Sequence, residues 1–294
     1  MKQEYKSGFA ALAGRPNVGK SSLLNAFIGQ KLVITSEKPQ TTRNQLRGIL
    51  TTGEYQIIWV DTPGLHHPKH LLGNQMVQNT YGALAGVDLI LWVLDAELGL
   101  TPGDQKVAER LRKFDLPVLV VWNKIDLVAS GWRRPPITGF DRVFKVSAVT
   151  REGLPELLRE IVALLPPGPQ YYPPDIVTDH PEKFIVAEFI REQVLQFTQD
   201  EIPHSVAVQV EQMKERPDGR IYIEAVIFVE RDSQKGILIG AGGQRLKQIG
   251  AAARQNIEQL LNTAIFLSLW VKVRKNWRNN EAALKEFGYW ETDK

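Results

Sequence analysis

No cysteine occurs among the 294 residues, so disulfides, thiolate zinc sites and cysteine nucleophiles are excluded. No apolar run approaches the ~20 residues that a membrane-spanning helix needs. The opening stretch, Met1-Lys2-Gln3-Glu4-Tyr5-Lys6, has no apolar core of a secretory signal. A cytosolic protein is the expectation. Internal repeats and low-complexity tracts are also missing, and neither charge sign dominates, the formal net charge being +3. Hydrophobic residues at 43% and charged residues at 23% are ordinary for a globular chain, and this length more naturally makes two domains than one.

The most informative stretch is Gly14-Arg15-Pro16-Asn17-Val18-Gly19-Lys20-Ser21, which has the G-x-x-x-x-G-K-[ST] spacing of a phosphate-binding loop. It follows an apolar strand-like run, Phe9–Ala13, and precedes a helix-period stretch through Leu23, Leu24, Phe27 and Ile28. Its glycines let successive backbone N–H groups turn toward phosphate oxygens. Lys20 reaches the outer phosphates, Ser21 offers a hydroxyl to Mg²⁺, and the helix N-terminus, with Ser22 next in line, adds favourable partial charge.

Residues up to 166 alternate strand-like and helix-like segments. The strands are expected at Phe9–Ala13, Gln45–Thr51, Gln56–Val60, Leu89–Leu94, Val118–Trp122 and Val143–Val146. The last four are near-continuous apolar runs, as for strands covered on both faces. The helices are expected at Lys20–Ile28, Leu72–Leu84, Gly103–Leu111 and Leu154–Leu165. This pattern predicts an α/β domain with a mostly parallel, doubly wound sheet and ligands at the carboxyl ends of its strands. The Pro- and Gly-bearing stretch 129–139 reads as loop.

Five prolines between Leu165 and Pro174 mark a stiff connector, placed at 167–179. The second domain is expected over 180–294. It reads as a helix, Glu182–Gln199, two strands, Ser205–Val210 and Ile221–Val229, joined by a turn at Pro217-Asp218-Gly219, then a Gly-rich loop. A helix, Gln244–Leu261, a strand, Ile265–Val273, and a short helix near Glu281–Phe287 complete it. Charge is segregated there. Nine basic residues between Arg231 and Arg278 face two acids, Asp232 and Glu258, a distribution that suits a polyanion.

Three further motifs follow strands in the order a GTPase needs. In Asp61-Thr62-Pro63-Gly64, Asp61 can hold Mg²⁺ through water and Gly64 can give its N–H to the γ-phosphate. In Asn123-Lys124-Ile125-Asp126, the Asp126 carboxylate can accept both N–H groups on guanine's edge, a pair that adenine lacks. Ser147-Ala148 can place a backbone N–H near the guanine oxygen. The polar stretch Pro39-Gln40-Thr41-Thr42-Arg43 stands where a first switch loop belongs. Thr42, or else Thr41, would bind Mg²⁺ only while the γ-phosphate is present. His66, His67, Lys69 and His70 read as solvated loop residues rather than a metal cluster.

Leu65 occupies the position where the best-known small GTPases carry a water-orienting glutamine, and leucine cannot orient water by hydrogen bonding. Asn17 has an amide oxygen suited to a monovalent cation, K⁺, beside the phosphates. Slow turnover is expected.

With Val229-Glu230-Arg231-Asp232-Ser233-Gln234-Lys235-Gly236 and Leu269-Trp270-Val271-Lys272-Val273-Arg274, these motifs make the chain resemble the Era family of bacterial GTPases over essentially its whole length. The resemblance implies a C-terminal type II KH domain that binds RNA through the loop Gly240-Ala241-Gly242-Gly243. Lys235, Gln244, Arg245, Lys247, Lys272, Arg274 and Lys275 are the accompanying RNA-facing candidates. It also implies a monomeric factor in small-subunit ribosome assembly that binds ribosomal RNA, not DNA, near its single-stranded 3′ end. Peripheral contact with the inner face of the membrane belongs to the same implication. Two other functions stay open at this point: a P-loop phosphotransferase, and an RNA-binding scaffold with a structural nucleotide. Asn123-Lys124-Ile125-Asp126 and the lack of an obvious acceptor-site acid or base argue against the first, and sustained phosphate release would exclude the second.

Overall fold

Apolar runs bounded by turn residues become strands, and the longest of them are buried on both faces. The computed structural model of the chain describes residues 4–36, 38, 41–63, 70–199 and 202–290. It divides into two units, Met1–Thr35 with Thr42–His67 and Met76–Asp179, and Ser36–Thr41 with Pro68–Gln75 and His180–Lys294.

Along the first part of the chain run β1 (Lys6–Ala13), α1 (Lys20–Ile28), β2 (Leu46–Thr51), β3 (Tyr55–Asp61), α2 (Leu71–Ala85) and β4 (Leu89–Asp95). Then come α3 (Pro102–Leu111), β5 (Val118–Asn123), β6 (Val143–Lys145) and α4 (Leu154–Leu164). The six strands form one sheet in the order β2-β3-β1-β4-β5-β6. Only β2 runs antiparallel, against β3. This is the expected doubly wound α/β architecture. On one face α1 buries Leu23, Leu24 and Phe27, whose ring stacks on Trp59 of β3 at 4.3 Å. On the other, Trp92, Leu94 and Trp122 pack with Val107 and Leu111 of α3. A capping box of Thr101 and Asp104 starts α3. β6 departs from its expected burial: it is three residues long, at the sheet edge, and none of them is buried. Its apolar run is simply too short to be sandwiched.

The segment after α4 is tied down rather than free. Ser7 Oγ donates to Pro169 O at 2.6 Å, and Ile49 N donates to Val177 O at 2.8 Å. The fully buried amide of Gln56 accepts from Tyr171 N and Tyr172 N at 2.8 and 3.0 Å and donates to Tyr172 O at 2.8 Å.

The second unit holds α5 (Glu182–Phe197), α6 (Ile202–Ser205), β7 (Ala207–Glu215), β8 (Ile221–Val229), α7 (Asp232–Ile239), α8 (Gln244–Leu261), β9 (Ile265–Val273) and α9 (Glu281–Glu286). Its sheet runs β7-β8-β9, antiparallel then parallel, and Ile249, Ala253 and Ile257 bury one face of α8. Two helices depart from the expectation. The first strand starts only at Ala207, because Ile202–Ser205 is a helical turn. The stretch before the Gly-rich loop is helix α7, although Gly236 sits inside it and only Gln234 and Leu238 are buried. The Gln234 side chain stabilises its start, accepting from Glu230 N and Arg231 N at 2.9 and 3.1 Å.

Candidate functional site

β1, β3, β4 and β5 all end at the same edge of the sheet, and polar residues follow the apolar runs there: Gly14, Asp61, Asp95 and Asn123. The turn from β1 to α1 is tight. A Cβ on Gly14 (φ +151°) would lie 2.5 Å from Val93 O, and one on Gly19 (φ +94°) would lie 2.2 Å from Asn123 Nδ2. Only glycine fits either place. Asn17 takes the left-handed conformation (φ +67°) with an exposed side chain, Pro16 precedes it, and Val18 is buried beneath the loop. Arg15 turns away to pair with Asp104 at 2.8 Å. Lys20 is buried, with Nζ donating to Arg15 O at 2.9 Å and Gly14 O at 3.3 Å. Burial lowers its ammonium to about 8, an effect that Asp61 opposes and Arg15 reinforces. A bound anion would relieve that penalty.

Beside Lys20, three oxygens converge. Ser21 Oγ donates to Asp61 Oδ2 at 2.8 Å, Thr42 Oγ1 donates to the same oxygen at 3.2 Å, and the two hydroxyls lie 3.1 Å apart. Asp61 is fully buried, burial raises its pKa, and its Oδ1 has no hydrogen-bond partner among the described residues. A buried carboxylate oxygen without a donor, beside two hydroxyls, is the donor set a hard cation such as Mg²⁺ takes. Of the two threonines, Thr42 belongs to this cluster, whereas Thr41 Oγ1 donates to Lys38 O at 2.6 Å. Thr62 donates to Leu12 O at 2.8 Å, and Pro63 O accepts from Thr80. Arg43 is buried. Gly64, Leu65 and Gln40, and with them His66, His67 and Lys69, lie outside the described residues. Among the described residues no cluster of three His, Cys, Asp or Glu could hold a metal.

At the far end of the loop, Asn123 Nδ2 donates to Val18 O at 3.0 Å and its Oδ1 accepts from Ala148 N at 3.0 Å. One amide thereby connects three of the sequence motifs. Lys124 (φ +65°) donates to the buried Asp95 at 2.6 Å. Asp126 is exposed in the following turn of 3₁₀ helix, and the buried Ser147 accepts from Val149 N and Thr150 N through Oγ.

In the second unit, Gly240, Gly242 and Gly243 have φ of +72°, +57° and +78°, so the chain turns sharply from α7 into α8. Gln244, Arg245 and Lys247 follow on α8, and Lys235 precedes on α7. Ala241 and Gly242 are exposed. The remaining basic candidates do not gather here. Leu269 of β9 lies against Gly250 of α8, so by strand alternation Lys272 and Arg274 project from the opposite sheet face. Lys272 meets Glu211 at 3.4 Å and Arg274 meets Glu286 at 2.7 Å. Lys275 is exposed beyond the strand. The basic stretch is thus split between two faces, and Lys272 and Arg274 are paired with acids.

Known proteins share this arrangement. A family described as 50S ribosome-binding GTPase matches residues 9–124, and the KH domain family matches 201–278. GTPase Era of Lacticaseibacillus paracasei is 51% identical over 292 residues, covering 97% of each chain. The chain belongs to the Era family of GTPases. A variant of Aquifex aeolicus Era bound to GDP·AlF4⁻ superposes with a TM-score of 0.93 at 37% identity, covering 97% of this chain and 99% of that one. Era in complex with MgGDPNP and nucleotides 1506–1542 of 16S ribosomal RNA gives 0.91 at 36% identity, with the same coverage.

Two residues that support this Era-family site were not singled out from the sequence. Asp95 aligns Lys124, and its position at the end of an apolar strand, like that of Asp61, was the available signal. Asn25 accepts from Leu32 N and Val33 N at 2.9 and 2.8 Å and donates to Val33 O at 2.7 Å, fixing the chain that leaves α1. No motif marks it. Among the described residues no helix is long and apolar enough to cross a membrane.

Proposed function

We propose that this Era-family chain binds GTP at the edge formed by β1, β3 and β5, hydrolyses it slowly, and grips 16S ribosomal RNA near its 3′ end during small-subunit assembly in the cytoplasm. The observation that carries the nucleotide half is the convergence of the Ser21 and Thr42 hydroxyls on Asp61 Oδ2, near the buried Lys20, with Asp61 Oδ1 left without a hydrogen-bond partner among the described residues. Gly14 to Ser22 cradle the phosphates, with Lys20 on the outer ones. Ser21, Thr42 and Asp61, the last through water, would hold Mg²⁺, which neutralises charge on the phosphates. Asp126 reads guanine, with Asn123, Lys124, Ser147 and Ala148 framing the base. Leu65 offers no hydrogen bond to the attacking water, so turnover is slow. Asn17 supplies an oxygen for K⁺.

The RNA half rests on the Gly240–Gly243 turn at the start of α8, whose N–H groups and following Arg245 and Lys247 suit a phosphate backbone. Residues 1–166, 167–179 and 180–294 serve as nucleotide domain, connector and RNA domain of a monomer that contacts the membrane only peripherally.

The test is binding of a short RNA copying the 3′ end of 16S ribosomal RNA, with GDPNP and with GDP, to wild type and to Ala241→Asp/Gly242→Asp. Tighter binding with GDPNP, lost in the double variant, is expected. Equal binding in both nucleotide states would remove the switch, and no binding would remove the RNA partner. Asp126→Asn should move preference from GTP to xanthosine triphosphate, and a retained preference for GTP would overturn the base assignment.

A further inference from the structure

We propose that a cavity on the α5 side of α7 holds one nucleotide of the RNA strand gripped by the Gly240–Gly243 loop, its base against Phe197 and Ile237 and its phosphate on Arg231 and Arg245. The inference rests on the RNA reading above and adds a subsite to it.

The cavity has a volume of about 560 Å³, within the ~300–1,000 Å³ span of small-ligand pockets. Phe197, in the last turn of α5, and Ile237, on α7, line it and remain 38% and 46% exposed. They are among the large apolar side chains that the fold leaves open. Unstacked RNA bases settle on such surfaces, and sequence is read by polar groups at the base edge. The amides of Gln196 and Gln199 line the same space and both donate and accept.

Two guanidinium groups, Arg231 and Arg245, line the cavity and suit an anion. Arg245 donates one hydrogen bond, from Nη1 to Ile237 O at 2.7 Å, which leaves other guanidinium N–H groups for phosphate. Position selects RNA over a free nucleotide. Ile237 stands three residues before Gly240 and Arg245 two residues after Gly243, so the loop and the cavity share both walls. A strand whose backbone rests on the loop has its neighbouring nucleotide at the cavity mouth. No residue of β9 lines this space, so it is distinct from the α8–β9 surface where Leu269 meets Gly250.

The experiment uses the full chain with GDPNP and a set of 3′-end RNAs, trimmed stepwise from either end and carrying 2-aminopurine at successive positions. Ser233→Trp fills the cavity from an exposed position, and Arg231→Gln removes one charge. For wild type, one trimming step should weaken binding about tenfold, and 2-aminopurine at that nucleotide should change fluorescence on binding. Ser233→Trp should bind the full RNA about tenfold more weakly, bind the trimmed RNA like wild type, and lose the fluorescence change. Arg231→Gln should reduce the salt dependence of binding by about 0.7 in log–log slope. Circular dichroism and GTP hydrolysis should match wild type in both variants. If Ser233→Trp and wild type bind every RNA equally, or if Ser233→Trp weakens full and trimmed RNA alike, the subsite is overturned while the loop reading survives. If wild type binds none of the RNAs, the RNA reading itself falls.

Discussion

The side-chain amide of Asn123 donates to the backbone carbonyl of Val18 at 3.0 Å, inside the loop that precedes α1. Its other end accepts from Ala148 N; Asn123 and Val18 are buried and Ala148 is half-buried. Asn123 is therefore a strut between the loop before α1 and the Ser147-Ala148 turn. Asn123→Ala leaves a buried carbonyl and a half-buried N–H unpaired, the first worth about 1–3 kcal/mol. GDP affinity should fall by roughly a hundredfold or more, with the circular dichroism spectrum retained. Unchanged affinity in calorimetry would show that the two loops hold their places without it.

Thr41 and Thr42 are adjacent, yet their hydroxyls have different partners. Thr42 meets Ser21 and Asp61, and Thr41 meets Lys38 O. A cation seated on that oxygen cluster should lose affinity when Thr42 is shortened. Thr42→Ala should weaken Mg²⁺-dependent binding of GDPNP by about tenfold and leave GDP binding within twofold, as one lost ligand implies. Thr41→Ala should do neither. A reversed pattern in Mg²⁺ titrations would assign the ligand to Thr41.

Much of this architecture was legible along the chain. β3, β4 and β5 are sandwiched, so they are written as unbroken apolar runs, and α1 and α8 start directly after glycines. The nucleotide motifs are local, each a few residues at a strand end. What was hidden depends on residues far apart in sequence. Helix α7 carries Gly236 and precedes a Gly-rich loop that masks it in the sequence, and Gln234 stabilises its start. Lys272 and Arg274 count as positive along the chain, but strand alternation and Glu211 and Glu286 remove them from the loop side. No periodicity announces that pairing.

Gln56 illustrates the same point for the proline-rich segment. The prolines predict extended chain, but its fixing depends on one buried amide more than a hundred residues earlier, bonded to Tyr171, Tyr172 and Thr51. Gln56→Leu keeps the volume and removes those bonds. Stability in urea should fall by about 2–4 kcal/mol, from several hydrogen bonds of roughly 1 kcal/mol and the N–H groups they leave exposed or unpaired. Hydrogen exchange at Tyr171 and Tyr172 should accelerate more than exchange in β4. Uniform acceleration would mean that the segment is held by its packing instead.

Asn17 sits at φ +67° with its side chain exposed at the rim of the phosphate loop. Leu65 cannot orient water by hydrogen bonding, and on the reading proposed above a monovalent cation on the Asn17 amide oxygen would supply one positive charge in the transition state without a partner protein. K⁺ fits better than Na⁺, because its larger shell tolerates amide and phosphate oxygens arranged at a loose rim. Hydrolysis by wild type should run roughly tenfold or more faster in KCl than in NaCl at equal ionic strength, a ratio in the range of one well-placed charge. Asn17→Ala should bring the two rates together at the NaCl value while leaving GDP affinity within a few-fold. Equal rates for wild type in both salts would place the missing charge elsewhere, and a K⁺ effect that survives Asn17→Ala would assign the cation to other oxygens of the loop.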